Sequence, residues 1–538
     1  MGEPAENTPV IIGVGQVSER TNDAGYRARS PMDLAGDALA AAIADSGVDA
    51  GGQARLARAI GTIGAIRQFE ISRPDARAPF GGADNPPRAI ARRIGADPAR
   101  AILETTGGQT GQTLLGELAG EIAAGRSEIA AIAGAEAIST VRALRAAGEA
   151  RDWSEHVGGS IEDRGYGLES LFDAELLQHG ATSALAHYAL FENARRAERG
   201  LSPQAYRQAI GDLLAPFTRV AAANPHAAAP RARTAHELAA VTDRNRIVAE
   251  PYARMTVARD QVNQGAAVIV ASVGKARALG IAESRWVHVH AVAAASEPAP
   301  MERADLARSP ASIAAVEAAL GRCGRSFDEV RHIDLYSCFA IPVFNLTDRF
   351  DLAPGDPRGL TLTGGLPFFG GPGNNYSTHA IAEAVARARA MPGSYALVGA
   401  NGGFMSKYSA ALYSTEPADW SGHDRTIDLP RQPAAVPKAA GEQDRLTVET
   451  RSSRAPRAPR PGRAPSSWGG TRRGNGSPPT PTWTIPKRGR CSKAARPSAP
   501  RSGSRSRRTG GPSASSALPD GGGPQPVQSP VKSARTCA

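Results

Sequence analysis

A glycine-rich turn that runs into an apolar helix constrains the fold of this chain more than any other stretch. Residues Glu104–Gly125 read ETTGGQTGQTLLGELAGEIAAG, and the first half contains too much glycine and threonine for a helix. The second half has aliphatic residues at helical spacing, which predicts a helix with one buried face. Such a turn leaves free backbone N–H groups at the positive end of a helix dipole. It therefore suits an anion or a nucleophile, and a tight turn into a core helix is the simpler alternative.

Apolar runs and helical segments alternate on both sides of this turn. In the first series we predict strands at Pro9–Val14, Ala59–Ile66 and Ile129–Ala133, helices at Pro31–Asp45 and Pro86–Ile94, and a loop at Gly134–Ser139. A second series of the same kind begins at Trp286 and ends near Tyr413. Alternating strands and helices indicate stacked α/β layers, and two similar series indicate a duplicated α/β architecture.

The segment between the two series breaks this alternation. Residues 151–243 are polar, with helical patches at Thr182–Arg199 and Pro203–Leu214. We interpret them as an inserted domain of helices and loops that covers a binding cleft. The predicted N-terminal half comprises residues 1–150 and 244–285, and the predicted C-terminal half comprises residues 286–415.

Charge is distributed unevenly along the chain. From Arg451 onward there are 18 Lys+Arg and one Asp, whereas the preceding residues have 45 Lys+Arg against 51 Asp+Glu. Residues 451–538 are rich in Pro, Arg and Ser and poor in aliphatic residues, which predicts a basic disordered tail. Residues 416–450 are predicted to form a linker or the start of an additional β domain. Specific nucleic-acid binding is not favoured, because only Trp468 and Trp483 offer aromatic stacking in the tail.

The cysteines and the apolar runs restrict the class of protein. Cys323, Cys338, Cys491 and Cys537 are too scattered for a disulfide framework or a zinc site, and a reducing cytoplasm is the expected compartment. We predict no metal site. The first ten residues lack the segments of a secretory signal, and no run of about 18 apolar residues suggests a membrane span. The sequence has no HExxH, GxSxG or Walker motif, so metalloprotease, hydrolase and NTPase functions have no support.

Several motifs occur in an order that is typical of one family. They are IAGAEAIS (Ile132–Ser139), NRIVAEPYARM (Asn245–Met255), VNQGAAVIVAS (Val262–Ser272), DLYSCFA (Asp334–Ala340), TGGLPFFGGPGNN (Thr363–Asn375) and GANGGF (Gly399–Phe404). With the central turn, they make residues 8–415 similar to the thiolase superfamily. The resemblance implies the thiolase fold, in which two βαβαβαββ halves pack face to face in stacked α/β layers. Residues 151–243 then correspond to the loop domain of the family.

The resemblance also identifies catalytic residues that this sequence lacks. The nucleophilic cysteine of the family corresponds to Gly108, its histidine to Gly371 and its second catalytic cysteine to Ala400. Tyr336 stands where the family has an Asn or His that positions a catalytic water. Because glycine has no side chain to acylate, chemistry through a cysteine thioester is not expected. The sequence looks most like the thiolase-like subgroup that lacks these residues and carries an additional C-terminal β domain.

The tail does not match that additional domain. The domain would begin near Ala440–Thr450, but Arg, Pro, Ala, Gly and Ser dominate the residues that follow. A shifted reading frame of a GC-rich gene is our hypothesis for this composition. Resequencing the gene across codons 440–460 tests it, and an intact frame would refute it.

Four side chains remain as catalytic candidates in or beside motifs that the resemblance places at the pocket. Tyr336 and Tyr376 could hydrogen-bond to an enolate oxygen or act as bases, and the alternative for each is a phenol packed in the core. Cys338 is either a reactive or a structural thiol, and His379 is a candidate replacement for the lost histidine. Candidates for substrate binding are Gly364, Gly365, Asn374, Asn401 and Gly402, with the two asparagines as oxyanion donors.

The resemblance implies that the ligand is CoA or an acyl-CoA thioester, with no further cofactor. Three functions follow from it: an acyltransferase of the acetyl-CoA acetyltransferase type, an aldolase that acts on an acyl-CoA through Tyr336 and Tyr376, or a non-catalytic acyl-CoA-binding subunit. A homodimer and a complex with an OB-fold partner are the assemblies that the family suggests.

Overall fold

The computed structural model describes residues 3–169, 171, 173–421 and 425–434, together with the backbone of 447–453 and 482–487. These residues belong to one unit, Met1–Gly489. The second unit, Arg490–Ala538, lies outside the described residues. Most of the predicted tail therefore also lies outside them, and its predicted disorder stays a prediction.

Strands and helices alternate through the described residues. The first series is β1 (Pro9–Ser18), α1 (Pro31–Asp45), α2 (Ala50–Ala59), β2 (Thr62–Ala65), α3 (Pro86–Ile94), β3 (Arg100–Leu103), α4 (Thr110–Ala123), β4 (Ile129–Ala137) and α5 (Ile138–Ala147). The middle segment contains β5 (Glu162–Asp163), α6 (Ala174–Gln178), α7 (Ala184–Glu198), α8 (Pro203–Ala223), α9 (Ala235–Ala239), β6 (Ile247–Ala249) and β7 (Tyr252–Ala253). The first series is then completed by β8 (Asn263–Ser272) and α10 (Val273–Ala278).

The second series repeats the pattern. It consists of β9 (Val287–Ser296), α11 (Pro310–Cys323), β10 (Val330–Leu335), α12 (Ala340–Phe350), α13 (Tyr376–Ala390), β11 (Tyr395–Gly402), β12 (Lys407–Ser414) and β13 (Thr426–Asp428). Two further strands, β14 (Thr447–Ser453) and β15 (Thr482–Lys487), pair with each other in an antiparallel arrangement. No helix among the described residues is long and apolar enough to cross a membrane.

The sheet shows that the two series are structural repeats. The strand order β1-β8-β4-β2 of the first half recurs as β9-β12-β11-β10 in the second. In both halves the first two pairings are antiparallel and the third is parallel. The halves join where β1 pairs with β9 through Val10 opposite His288 and Ile11 opposite Val287. The duplicated α/β architecture predicted from the sequence is therefore confirmed.

Helices complete the stacked layers. Helices α4 and α13 pack on each other and contact strands of both halves, so they form the central layer. Helices α1 and α3 cover the outer face of the first half, and α11 covers that of the second. One apolar cluster lies under α1 and α3, and a larger one spans the central layer, the second half and the inserted helices.

Local sequence signals explain where the elements begin. Ser30 caps α1 in a capping box with Asp33, and Pro31 is the first helical residue, as predicted. Asn85 caps α3 by accepting the Arg88 N–H, and Gly95 ends the helix in a left-handed conformation. Helix α4 begins only at Thr110, which confirms that the glycine-rich first half of the central stretch is a turn.

The predicted loop at Gly134–Ser139 is wrong. Strand β4 continues to Ala137 because it pairs with β8 over its whole length, and α5 begins at the next residue. Strand β1 likewise continues beyond the predicted end at Val14, to Ser18. A Cβ at Gly13 would collide with the Ala42 carbonyl of α1, so glycine here permits close strand–helix packing rather than a turn.

Candidate functional site

A cavity of about 490 Å³ lies at the N-terminal ends of the two central helices, α4 and α13. Its walls come from the turn before α4, the loop between β10 and α12, the loop before α13 and the turn between β11 and β12. Helix α7 of the inserted segment adds Leu185 and Tyr188 on one side. Both halves and the insert therefore build one pocket around the glycine-rich turn before α4.

Asn374 ties the two helix ends together. Its Oδ1 accepts the Gly107 N–H at 3.0 Å, while its Nδ2 donates to the Arg67 carbonyl at 2.6 Å and to Ser72 Oγ at 3.1 Å. The amide lines the cavity, but its hydrogen bonds are made to the protein. Asn374 thus fixes the glycine-rich turn and is not free to donate to an oxyanion.

Gly108 and Tyr336 face each other across the centre of the cavity. A Cβ built on Gly108 would overlap Tyr336 Oη and would lie 2.6 Å from Tyr336 Cζ and 2.5 Å from the Asn401 carbonyl oxygen. The phenol therefore occupies the space that a side chain at residue 108 would need. No nucleophile fits at this position while Tyr336 and the Asn401 backbone stay in place.

The Tyr336 hydroxyl is unpaired and protonated. It has no hydrogen-bond partner among the residues that the structure describes, and its side chain lines the cavity. Burial raises the pKa of Tyr336 well above its ordinary value. The phenol is consequently a hydrogen-bond donor at neutral pH and not a base.

Cys338 also lines the cavity, next to Asn401 and Tyr188. Asn401 Nδ2 donates to Tyr188 Oη at 2.7 Å and approaches Cys338 Sγ at 3.7 Å. Burial raises the pKa of the Cys338 thiol to about 12, so it is not a thiolate at neutral pH. This cysteine therefore lacks the ionised form that a nucleophile requires.

Tyr376 does not line the cavity. It is fully buried behind Tyr336, and the two rings meet edge to face with centroids 5.1 Å apart. Its hydroxyl lies 2.5 Å from Thr363 Oγ1 and donates to Asp334 Oδ1 at 3.2 Å. Asp334 also accepts the backbone N–H groups of Leu362 and Thr363. Tyr376 is accordingly part of a buried polar cluster rather than of the pocket surface.

His379, Gly364, Gly365 and Ala400 lie outside the cavity lining as well. His379 is fully buried in α13, its Nδ1 lies 2.7 Å from Gln16 Oε1, and burial keeps its pKa well below the usual value. A Cβ at Gly364 would lie 2.6 Å from Ala221 Cα of α8, which leaves no room for a ligand there. The pocket does include Gly371 and Gly402. Of the predicted site residues, the structure thus brings together Tyr336, Cys338, Asn374, Asn401 and Gly402.

Positive charge collects beside the pocket. Arg259 lies between Ala258 and Asp260, which both line the cavity, while Arg259 itself lines a separate cavity together with Arg20 and His226. Burial, and then the nearby charges of Arg254 and Arg233, lower the pKa of Arg259. None of these three arginines forms a salt bridge with a described residue. The Asp260 carboxylate attracts Arg259 at longer range and opposes the lowering of its pKa.

A second cation lies on a different wall. The Lys407 ammonium group lines the cavity and donates to the Gly167 carbonyl at 2.6 Å. Burial lowers the pKa of Lys407, and the carboxylates of Glu169 and Glu104 oppose this shift. Sequence reasoning missed both Lys407 and Tyr188, because each reaches the pocket through contacts distant in sequence. The motif NRIVAEPYARM (Asn245–Met255) was a signal for Arg254 but not for Arg233 or Arg259.

Solved structures provide the comparison with known proteins. The chain is 44% identical to a monomeric SCP2-thiolase-like protein type 1 from Mycobacterium smegmatis, with a TM-score of 0.68, over 84% of this chain and 87% of that one. No sequence profile of a protein family and no curated protein sequence matches it.

Two more distant structures share the fold. The dimeric peroxisomal thiolase of Saccharomyces cerevisiae is 14% identical, with a TM-score of 0.53, over 77% of this chain and 99% of that one. The Ltp2–ChsH2(DUF35) aldolase is 18% identical, with a TM-score of 0.55, over 76% of this chain and 98% of that one. At these identities the likeness concerns the fold.

Proposed function

This chain belongs to the thiolase superfamily, and from that premise we propose that it binds acyl-CoA thioesters without forming an acyl-enzyme. The observation that carries the proposal is the phenol of Tyr336 in the space that a side chain at Gly108 would need. A thioester bound there meets no sulfur nucleophile, because Cys338 is held as a thiol. The nominal acyltransferase chemistry of the family then has no covalent route in this pocket.

Two hydrogen-bond donors remain at the same place for the thioester oxygen. One is the protonated Tyr336 hydroxyl. The other is the Gly108 N–H, which has no acceptor among the described residues and lies just before α4. Donors at a helix N-terminus stabilise partial negative charge on an oxygen. The pair supports a site that binds and polarises a thioester carbonyl.

The arginines beside the pocket support CoA as the carrier of the acyl group. Arg259 is the sequence neighbour of the cavity-lining residues Ala258 and Asp260, and the charges of Arg254 and Arg233 act on it. Guanidinium groups bind phosphate oxygens in bidentate fashion, and CoA carries a pyrophosphate and a 3′-phosphate. In this proposal the phosphates of a ligand whose thioester reaches Gly108 extend out of the cavity to these arginines.

Calorimetric titration of the full chain with CoA and with acetoacetyl-CoA tests this proposal. We expect binding of both and no thiolysis of acetoacetyl-CoA when free CoA is added. Arg254→Ala should weaken CoA binding about tenfold, whereas Arg58→Ala, an exposed arginine on α2 with no salt bridge among the described residues, should not. Thiolysis by the wild-type chain, or an absence of CoA binding, would refute the proposal.

Retro-aldol cleavage of a β-hydroxyacyl-CoA is the second candidate. It is favoured by one observation, the unpaired and protonated Tyr336 hydroxyl that could hold the developing enolate oxygen. In this reaction a base takes the β-hydroxyl proton, the Cα–Cβ bond breaks, and its electron pair moves to the thioester oxygen. Asp260 is a carboxylate on the cavity wall that could serve as the base. Tyr376 would act only through its packing against Tyr336.

Release of an aldehyde or ketone from a β-hydroxyacyl-CoA separates this candidate from simple binding. Product that disappears in both Tyr336→Phe and Asp260→Asn would support the aldolase. We also propose that the chain is monomeric, as its 44% identical relative is named. Light scattering of the purified chain tests the assembly, and a homodimer or a requirement for an OB-fold partner would overturn it.

A further inference from the structure

Lys407 is a cation on the cavity wall without a counter-ion. Its Nζ donates to the Gly167 carbonyl, and no carboxylate among the described residues lies within salt-bridge distance of it. The nearest negative charges that act on it belong to Glu169 and Glu104. Glu104 is already paired with Arg164 at 2.8 Å. The ammonium group therefore keeps donors that the described protein atoms do not use.

The surroundings of Lys407 disfavour an ammonium group whose donors are not all used. The side chain is half-buried, and loss of water around an ammonium group disfavours its charged form. A bound anion restores what burial removes, through a charge-assisted hydrogen bond. The same cavity contains Gly108 and Tyr336, so an anion on Lys407 can belong to the molecule whose thioester lies beside them.

We propose that Lys407 binds a carboxylate on the acyl group of the ligand. The preferred ligands are then CoA monothioesters of dicarboxylic acids rather than unsubstituted fatty acyl-CoA esters. This inference rests on the proposed function, since it requires an acyl-CoA in the cavity. It assigns to Lys407 a role in specificity.

The position of the two cationic groups favours the acyl end over the phosphates of CoA. Arg259 belongs to the segment whose residues Val257, Ala258 and Asp260 line the cavity, and the charges of Arg254 and Arg233 act on it. Lys407 starts β12 and contacts the loop at Gly167, on the side of Thr106 and Gly107. Apolar side chains such as Leu171, Leu185 and Phe404 line the same cavity and suit the methylene groups of an acyl chain.

Calorimetric titration with paired thioesters tests this inference. Succinyl-, glutaryl- and adipyl-CoA would be compared with butyryl-, pentanoyl- and hexanoyl-CoA, which have the same numbers of acyl carbons. We expect at least one carboxylated ligand to bind about ten- to a hundredfold more tightly than its uncharged partner. Lys407→Gln keeps an N–H for Gly167 but removes the charge, and should abolish the preference while changing butyryl-CoA affinity less than about twofold. Lys407→Arg should retain most of it.

Two other outcomes would refute the role of Lys407, and a third would refute the proposed function. Equal affinity for the paired ligands in the wild-type chain would refute the role of Lys407 while leaving acyl-CoA binding intact. An equal loss of affinity for all ligands and for free CoA in Lys407→Gln would place a CoA phosphate on this lysine and also refute it. No binding of any CoA compound would refute the proposed function itself. If Lys407→Gln does not fold, Lys407→Met provides the uncharged variant.

Discussion

The cavity wall at Tyr336 and the buried cluster at Tyr376 are neighbours, and each contains a tyrosine. The two hydroxyl groups, however, have opposite hydrogen-bonding roles. Tyr376 Oη contacts Thr363 and donates to Asp334, so its hydrogen-bonding capacity stabilises the fold. Tyr336 Oη finds no partner among the described residues and faces the pocket. The hydroxyl available to a ligand is therefore the one that the fold leaves unpaired.

A similar contrast separates two buried carboxyl groups. Asp334 accepts hydrogen bonds from the hydroxyls of Thr361, Thr363 and Tyr376 and from two backbone N–H groups. Glu136, behind the cavity loop at Gly373, accepts the Phe69 N–H, and its Oε2 has no partner among the described atoms. Because Glu136 has fewer hydrogen-bond donors than Asp334, less of the free-energy cost of burying its charged form is offset. Burial, opposed by the Phe69 N–H and assisted by Glu70 and Asp260, raises the pKa of Glu136 to about 8.

The largest effect should come from Glu136→Gln. Because the folded pKa of about 8 exceeds the ordinary value of 4.5, folding favours the protonated form. Wild-type stability should therefore fall relative to the variant as pH rises from about 4.5 to 8, and the difference should stay constant above that range. The total shift could reach about 5 kcal/mol. Urea unfolding at a series of pH values measures this shift, and the exposed Glu283→Gln is the control. A difference in the free energy of unfolding that does not change with pH would show that Glu136 is not destabilised by ionisation.

Gly108→Ala should have the next largest effect. The added Cβ meets Tyr336 and the Asn401 carbonyl oxygen, which is backbone and cannot rotate away. Overpacking of this kind costs about 1–3 kcal/mol. Gly321→Ala on α11 is the matched control, because its Cβ meets no atom within 4 Å. Equal midpoints of urea unfolding for the two variants would mean that a Cβ at residue 108 fits beside Tyr336 and Asn401 without strain.

Tyr376→Phe should reduce stability by about 1–2 kcal/mol, because it removes one donor from a buried carboxyl and leaves Thr363 with one partner fewer. Acyl-CoA affinity should change less than about twofold. Thermal unfolding and titration on the same preparation provide both numbers. A variant that folds as well as the wild type but binds acyl-CoA more weakly would show that the Tyr376 hydroxyl serves the pocket and not the fold.

Tyr336→Phe should have the smallest effect on the fold, less than about 0.5 kcal/mol, since no hydrogen bond to described residues is lost. Affinity for an acyl-CoA thioester should drop about three- to tenfold, because its carbonyl loses a donor. Free CoA has no such carbonyl next to Gly108 and should bind unchanged. Equal weakening of both ligands would show that the phenol shapes the pocket without contacting the thioester.

Much of the fold could be predicted because its signals are local. Ser30 and Asn85 begin their helices where capping residues should, and the glycines before Thr110 end where α4 starts. Ordered motifs also located Gly108 and Tyr336 at one site. The strand pairing of β4 beyond Gly134 could not be predicted in this way, because it depends on β8 more than 120 residues later.

The pocket surface was less predictable because tertiary packing decides it. The motifs offered both Tyr336 and Tyr376 as pocket residues, and the position of Asp334 and Thr363 determines which hydroxyl is hydrogen-bonded within the protein. Tyr188 meets Asn401 across 213 residues, and Lys407 meets Gly167 across 240. No periodicity or local motif reports contacts over such separations.

The overlap between residue 108 and the Tyr336 phenol also limits the order in which substitutions can accumulate. A cysteine introduced first at residue 108 would clash with the phenol and with the Asn401 carbonyl oxygen, and would be selected against for stability. A smaller residue introduced first at 336 would remove only the clash with the phenol and would leave a cavity. A sulfur nucleophile at residue 108 therefore requires both a substitution at 336 and a shift of the backbone at Asn401, so a single substitution does not return this pocket to covalent chemistry.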